Sequence, residues 1–294
     1  MKKPILVVGS IAIDNTVYTK HLPTAGTTTL ADSYISNIGG KGANQACSAL
    51  FLGGNVNYIG AVGKDKNGQA VKEYLSELGL KYHIKDSNKP TGVAFITLET
   101  TSGENRILIV PGANEDLQKE DIDKYNDLFI ENGIFLTQFE NSISTVEYII
   151  KKAHDHNMLV VVNPAPYKKI NEIYYKYIDI IVPNEHEIEQ LTGISNIEEA
   201  STLLLDKGAK NVIVTLGGKG SFFINKEKSF YVASHKVNAV DTTAAGDSYL
   251  GALVTKLSEG KGIKEAMEFA SLASSITVTR KGAIQSLPKL EELN

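Results

Sequence analysis

The densest chemistry in the 294-residue chain lies in Asp241-Thr242-Thr243-Ala244-Ala245-Gly246-Asp247. This stretch follows an apolar strand-like run and opens a helix-like run, Ser248 to Leu257. A loop of small residues at a helix start exposes free backbone N–H groups and the positive end of the helix dipole, which seats an anion. Asp247 places a carboxylate at the same spot. A base beside an anion hole is what deprotonation of a hydroxyl needs as a phosphoryl group arrives. A helix-capping aspartate is the plainer alternative. The run Gly39-Gly40-Lys41-Gly42-Ala43-Asn44-Gln45-Ala46 is the second candidate. Its glycines admit a ligand to the backbone, and Lys41 and Asn44 offer donors to hydroxyls. No Gly-Lys pair here is followed by Ser or Thr, so this is not a Walker-type phosphate loop. It is not a dinucleotide fingerprint either, because an insert interrupts the strand–turn–helix context. Asn184 and Glu187 stand three apart, which on a helix places both on one face.

These residues need a scaffold, and the hydrophobic pattern supplies one. Strand-like runs (Ile5–Val8, Val56–Ile59, Gly133–Leu136, Leu159–Val162, Ile178–Val182, Val212–Thr215) alternate with helix-like segments. The helical segments are Gly42–Leu52, Gln69–Leu78, Ser144–His154, Glu185–Leu191, Ala245–Leu257 and Ile263–Val278. Apolar strands separated by helices predict an α/β fold with a mostly parallel sheet covered on both faces, and ligands at the carboxyl ends of its strands. Two inserts, about 15–38 and 91–111, lack helical pattern. In the second, Gly92–Glu99 and Asn105–Val110 flank Thr100-Thr101-Ser102-Gly103-Glu104 as a hairpin does. The inserts together predict a small antiparallel sheet acting as a lid over the ligand face, with exposed sheet suited to a dimer contact.

Composition narrows the function classes. Lys+Arg 30 against Asp+Glu 34 gives a net charge of −4, without a basic tract, which argues against nucleic acid. No apolar run approaches the ~20 residues of a membrane span. The N-terminal Met1–Val8 reads as a first strand rather than a signal segment. Cys47 is the sole cysteine. It is expected to be a packed core thiol of a protein in a reducing, cytoplasmic compartment. The six histidines show no metal-ligand spacing.

Taken together, the motifs resemble the ribokinase family of carbohydrate kinases, over nearly the whole chain. The matching segments run in order: Gly9-Ser10-Ile11-Ala12-Ile13-Asp14, Gly39 to Ala46, Pro111-Gly112-Ala113-Asn114, Asn163-Pro164-Ala165-Pro166, Pro183-Asn184-Glu185-His186-Glu187, Thr215-Leu216-Gly217, Asp241 to Asp247, and Thr279-Arg280-Lys281-Gly282-Ala283. The resemblance implies a three-layer sandwich formed by one kinase domain over residues 1–294. The implied activity is ATP-dependent phosphorylation of the primary 5-hydroxyl of D-ribose. Asp247 would be the base, and amides around Ala245 and Gly246 would hold charge on the transferring group. Sugar contacts map to Ala12, Asp14, Gly40, Lys41, Asn44 and Glu140. Nucleotide contacts map to Asn184, Thr215, Gly217, Lys219, Gly220, Gly246 and Ser271. Mg²⁺ would be reached by Asn184 and Glu187 through water, as a reluctantly dehydrated ion prefers. A monovalent cation, K⁺ as an activator, maps to Asp241, Thr243, Thr277, Arg280, Gly282 and Ser286, mostly through backbone carbonyls. A homodimer through the exposed lid sheet is expected.

One departure concerns specificity. Ribokinases of this family often carry Asn where this chain has Ala12, so an amide contact to a sugar hydroxyl is missing. A lost buried hydrogen bond shifts discrimination by ~1–3 kcal/mol, which bears on ribose against 2-deoxyribose. Ser36-Asn37-Ile38 is also more polar than expected beside the glycines. The alternatives are a kinase for 2-deoxyribose or another small sugar, a nucleoside kinase, and a non-catalytic sugar-binding regulator. The intact Gly39–Asn44 run argues against the nucleoside branch, and the intact Gly-Asp pair and Asn-x-x-Glu element argue against the regulator. A NAD-dependent oxidoreductase lacks its fingerprint.

Overall fold

The first strand shows why the main sheet forms. β1 (Pro4–Val8) has Ile5, Leu6, Val7 and Val8 all buried, so it cannot lie on a surface. Alternate residues feed two separate cores: Ile5 and Val7 join one, Leu6 and Val8 the other. In the computed structural model, residues 2–102 and 104–293 are described; Gly103, expected in the hairpin turn, lies outside them.

The chain continues through β2 (Ala12–Thr19), β3 (Ser33–Gly39), α1 (Lys41–Phe51), β4 (Asn55–Gly63), α2 (Lys66–Glu77) and β5 (Lys81–Ser87). Then follow β6 (Gly92–Glu99), β7 (Asn105–Val110), α3 (Lys119–Asp123), β8 (Ile134–Gln138), α4 (Ile143–Asp155), β9 (Leu159–Asn163) and β10 (Ile180–Ile181). The last third holds α5 (Glu185–Thr192), α6 (Ile197–Asp206), β11 (Asn211–Thr215), β12 (Ser221–Asn225), β13 (Ser229–Val232), α7 (Ala245–Ser258) and α8 (Ile263–Thr277). Nine strands form one sheet in the order β13-β12-β11-β10-β9-β8-β1-β4-β5. It is parallel from β11 to β5, and β12 and β13 extend it antiparallel. Residues of α1, α2, α7 and α8 pack on one face, and residues of α3, α4, α5 and α6 on the other, which makes three layers.

The two inserts form a second sheet, ordered β3-β2-β6-β7. Each hairpin is antiparallel, as expected. The seam between them, β2 with β6, is parallel, because both hairpins leave the main sheet in the same direction. Asn114 ties their roots together: its Oδ1 accepts from the Ile11 amide (3.0 Å) and its Nδ2 donates to the Ile11 carbonyl (2.8 Å). This sheet leaves large apolar side chains in water, among them Leu108 (72% exposed), Tyr34 (60%) and Phe95 (51%).

Several elements escaped the hydrophobic pattern. β5 reads Lys-Tyr-His-Ile-Lys-Asp-Ser and is too polar to announce itself, since an edge strand needs only partial cover. α6 starts where Asn196 accepts from the amides of Glu198 and Glu199. Cys47 is buried as expected, and burial pushes its thiol up to about 12, so it is inert. No described helix is long and apolar enough to cross a membrane.

Candidate active site

The site lies where α1 and α7, one from each end of the chain, bring their N-termini together beyond the carboxyl end of β1. The α1 start is held by Ser10, whose carbonyl accepts from the Ala43 amide (3.0 Å) and whose hydroxyl donates to Glu140. Glu140 Oε2 also accepts from the Lys41 amide (3.0 Å). Glu140, expected as a sugar contact, thus also anchors the helix that carries Lys41 and Asn44. Gly40 is the turn into this helix: its φ is +91°, and a Cβ there would lie 2.8 Å from the Ala12 amide nitrogen.

At the α7 start, Ala244 adopts a left-handed conformation (φ 59°, ψ 9°), with no side-chain cap. This turn closes on itself, with the Ala245 amide donating to Thr242 O (3.2 Å). Ala245, expected among the anion-holding amides, here spends its N–H within its own turn. Among the described residues, the Gly246 and Asp247 amides have no backbone acceptor, so they are the donors left for an anion. Asp247 does not cap its own helix. Its buried carboxylate reaches across to α1, accepting from Asn44 Nδ2 at Oδ2 (2.8 Å) and from Gln45 Nε2 at Oδ1 (2.9 Å). The buried Asn44 Oδ1 has no partner among the described residues and remains an open acceptor.

Four carboxylates surround one cation. Burial opposes the charge on Lys41, but Asp247, Glu140, Glu187 and Asp14 outweigh it and raise its pKa, so it stays an ammonium. Asp14 is pushed up to about 7, first by burial, then by Glu140 and Asp247, against the pull of Lys41. Glu187 is also raised, chiefly by burial.

Two adjoining cavities lead away from Asp247. The smaller, about 190 Å³, is lined by Lys41, Asn184, Glu187, Gly246 and Asp247 among others. Lys41, expected beside the sugar hydroxyls, therefore also faces this junction. The larger, about 560 Å³, shares Asn184, Thr215, Thr242, Ala245 and Gly246 with it, and continues past Gly217, Gly220 and Ser271. Its volume suits a nucleotide-sized ligand. The sequence reading missed the loop Ser234–Ala239, the α8 residues Ser274 and Ser275, and Val278 just beyond that helix, which also line it. Lys219 is not among its lining residues; it is exposed, with its ammonium 3.4 Å from Glu185.

Asn184 and Glu187 depart from the expected shared helix face. Asn184 is the N-cap of α5, in extended backbone, and its Oδ1 accepts from the Glu187 amide (2.8 Å). Glu187 Oε2 returns a bond to the Asn184 amide (2.9 Å), closing a reciprocal capping box. Both still line the small cavity, so the cap aims them at it.

The positions mapped to a monovalent cation are only partly drawn together. Asp241 accepts from the Thr243 amide (2.9 Å) and the Gly282 amide (3.0 Å), joining two of the segments behind the α7 start. The Thr277 hydroxyl donates to Ser248 Oγ (2.7 Å), Ser286 Oγ donates to Ala283 O (2.7 Å), and Arg280 pairs with Glu292.

The profile of the pfkB family of carbohydrate kinases matches residues 2–290. Over 299 aligned residues the chain is 38% identical to the ribokinase of Haemophilus influenzae, covering 99% of this chain and 97% of that one. It is 35% identical to the deoxyribokinase of Salmonella typhi, covering 99% and 97%. Among solved structures, Arabidopsis thaliana ribokinase complexed with ribose and ATP matches with a TM-score of 0.88 at 32% identity, covering 100% of this chain and 98% of that one.

Proposed function

The chain belongs to the pfkB family of carbohydrate kinases, and from that premise we propose that it transfers the γ-phosphoryl group of ATP to the 5-hydroxyl of D-ribose. The observation that carries this reading is the position of Asp247. Its carboxylate is gripped by Asn44 on one side and faces the cavity leading to the nucleotide on the other. A primary hydroxyl seated at Asn44 gives its proton to Asp247 and attacks the γ-phosphorus, whose bond to the bridging oxygen breaks to release ADP. Charge developing on the phosphoryl oxygens meets the Gly246 and Asp247 amides and the Lys41 ammonium. Asp14, Asn44 and Glu140 supply acceptors and donors for the other hydroxyls.

The donor set fits Mg²⁺. Glu187 and Asn184 face the small cavity, while the described residues hold no group of three or more His, Cys, Asp or Glu able to cage a metal. That suits an ion that keeps most of its water and leans on phosphates. When bound, it neutralises phosphate charge. For K⁺, the side-chain oxygens of Asp241, Thr277 and Ser286 already have protein partners, which leaves backbone carbonyls of the 241–243 and 277–286 segments to hold the ion. We assign the whole chain to one kinase domain in which the small sheet is a lid, and its exposed Leu108, Tyr34 and Phe95 to the contact of a homodimer. The solitary inert thiol suits the cytoplasm.

The test is ATP consumption with Mg²⁺ against ribose, 2-deoxyribose, fructose and adenosine, in potassium and in sodium. Ribose-dependent turnover raised by potassium is expected; turnover on adenosine alone would overturn the reading. A 2-deoxyribose kinase is the second reading, because Ala12 pairs with Gly39 in the β2–β3 ladder, where neither residue brings an amide side chain. Ala12→Asn is expected to raise the ribose to 2-deoxyribose ratio of kcat/KM about tenfold, the worth of one hydrogen bond. An unmoved ratio would remove position 12 from specificity.

A further inference from the structure

Gln45 stands one residue beyond the sugar-facing Asn44 and is fully buried. Its side chain is the middle of a chain of amides ending on Asp247. Gln138 Nε2 donates to Gln45 Oε1 (2.6 Å), and Gln45 Nε2 donates to Asp247 Oδ1 (2.9 Å). The second hydrogen of Gln45 Nε2 goes to Asn163 Oδ1 (3.2 Å), whose own Nδ2 donates to the Val182 carbonyl (2.9 Å). The direction of every amide is forced. An ionised carboxylate only accepts, so Gln45 must turn its nitrogen to Asp247 and its oxygen to Gln138. Gln138 must then present its nitrogen to Gln45. Its own oxygen is left without a partner among the described residues and lies against Gly9, where an added Cβ would come within 2.0 Å. Leaving a buried amide oxygen unpaired is unfavourable, so the relay holds its direction against a standing cost.

The two oxygens of Asp247 therefore have different surroundings. Oδ1 is bound from the interior by a residue that no substrate reaches, and Oδ2 is shared with Asn44 on the acceptor side. We propose that Gln45, oriented by Gln138, is a positioning residue that locks Asp247 through Oδ1 and leaves Oδ2 to take the proton of the acceptor hydroxyl. This rests on the kinase reading above. Neither glutamine touches sugar or nucleotide; both act through the base.

The experiment compares kcat, sugar KM and the pH profile of kcat for the wild type, Gln45→Met, Gln138→Met and the double variant. Methionine keeps the volume and removes the amide. For Gln45→Met, kcat is expected to fall about tenfold with sugar KM within threefold of wild type. The acidic limb of the profile moves to higher pH, because a carboxylate that loses a donor holds its proton more tightly. Gln138→Met moves both in the same direction by less, and the double variant is no worse than Gln45→Met, since Gln138 acts only through Gln45. An unmoved acidic limb, or a rise in sugar KM with kcat intact, would overturn the proposal. If Gln45→Met does not fold, Gln138→Met decides alone: a shifted limb at unchanged sugar affinity by calorimetry supports the relay, and an unshifted limb refutes it. A wild type without sugar-dependent turnover would instead overturn the kinase reading itself.

Discussion

The acceptor half and the nucleotide half of the site are built by opposite means. Around the proposed acceptor site, Asp14, Lys41, Asn44, Gln45, Gln138, Glu140 and Asp247 come from four distant stretches: Asn44 and Gln45 donate to Asp247, Gln138 donates to Gln45, Glu140 accepts from the Lys41 amide, and Asp14 and Lys41 act on the rest through charge. Around the nucleotide cavity, glycines, small hydroxyls and the exposed loop Ser234–Ala239 predominate, beside Asn184, Glu185, His186 and Tyr249. Identity of functional groups defines the first half, and the path of the backbone defines the second. A kinase that must choose one small polyol, yet accept a donor common to many enzymes, has reason for this division. The two halves should therefore fail differently when altered.

The largest expected effect is on the acceptor side. Asp247→Asn should lower kcat by about 10²–10⁴-fold, because general-base catalysis is lost while the pocket keeps its shape. Steady-state kinetics with a calorimetric sugar Kd would check this; turnover within tenfold of wild type would put the base elsewhere.

The same half should respond to pH. Asp14 holds its proton to about 7 in the folded protein, against 3.8 for an ordinary aspartate. Between those values the folded state binds more protons than the unfolded one, so the free protein should lose stability as pH rises from about 4 to about 7, and level off above. In the proposed sugar site the ionised form would accept from sugar hydroxyls, so the sugar Kd should tighten about tenfold from pH 5.5 to 8, with proton release on binding. Equal affinities at both pH values, with no dependence of the heat on buffer, would mean that charge on Asp14 does not matter to the sugar.

On the nucleotide side, Gly220 has φ +104°, and a Cβ there would meet the Val232 carbonyl at 2.0 Å. Gly220→Ala should cost about 1–3 kcal/mol of stability by strain and weaken ATP about tenfold, leaving sugar affinity alone. Thermal melts with both titrations would show it. Loss of sugar affinity instead would mean that the halves are not separable.

How much of this could be read from the sequence follows the same division. Asp247, Asn44 and Lys41 were legible because they sit in short runs whose residue types state a purpose. The main sheet was legible because buried parallel strands are continuously apolar. The network of Gln45, Gln138 and Asn163 was not, although two of them lie in the motifs, because an amide network joins residues far apart in the chain and leaves no local pattern. The Ser234–Ala239 loop was hidden for the opposite reason: a wall made of backbone needs no distinctive side chains. Asn184 and Glu187 were found, but their spacing reads equally as a helix face and as a capping box, and only the backbone at Asn184 separates the two.

The parallel seam between β2 and β6 makes the two hairpins one sheet, with eight residues of β2, Ala12 to Thr19, paired to Gly92 to Glu99. Asn114, after β7, adds bonds to Ile11, just before β2. Asp14 therefore rides on the small sheet, whereas Asn44 and Asp247 stand on helices packed against the large one. If the small sheet acts as the lid proposed above, raising it would also take Asp14 out of the sugar site, so that excluding water and holding the sugar would be a single event.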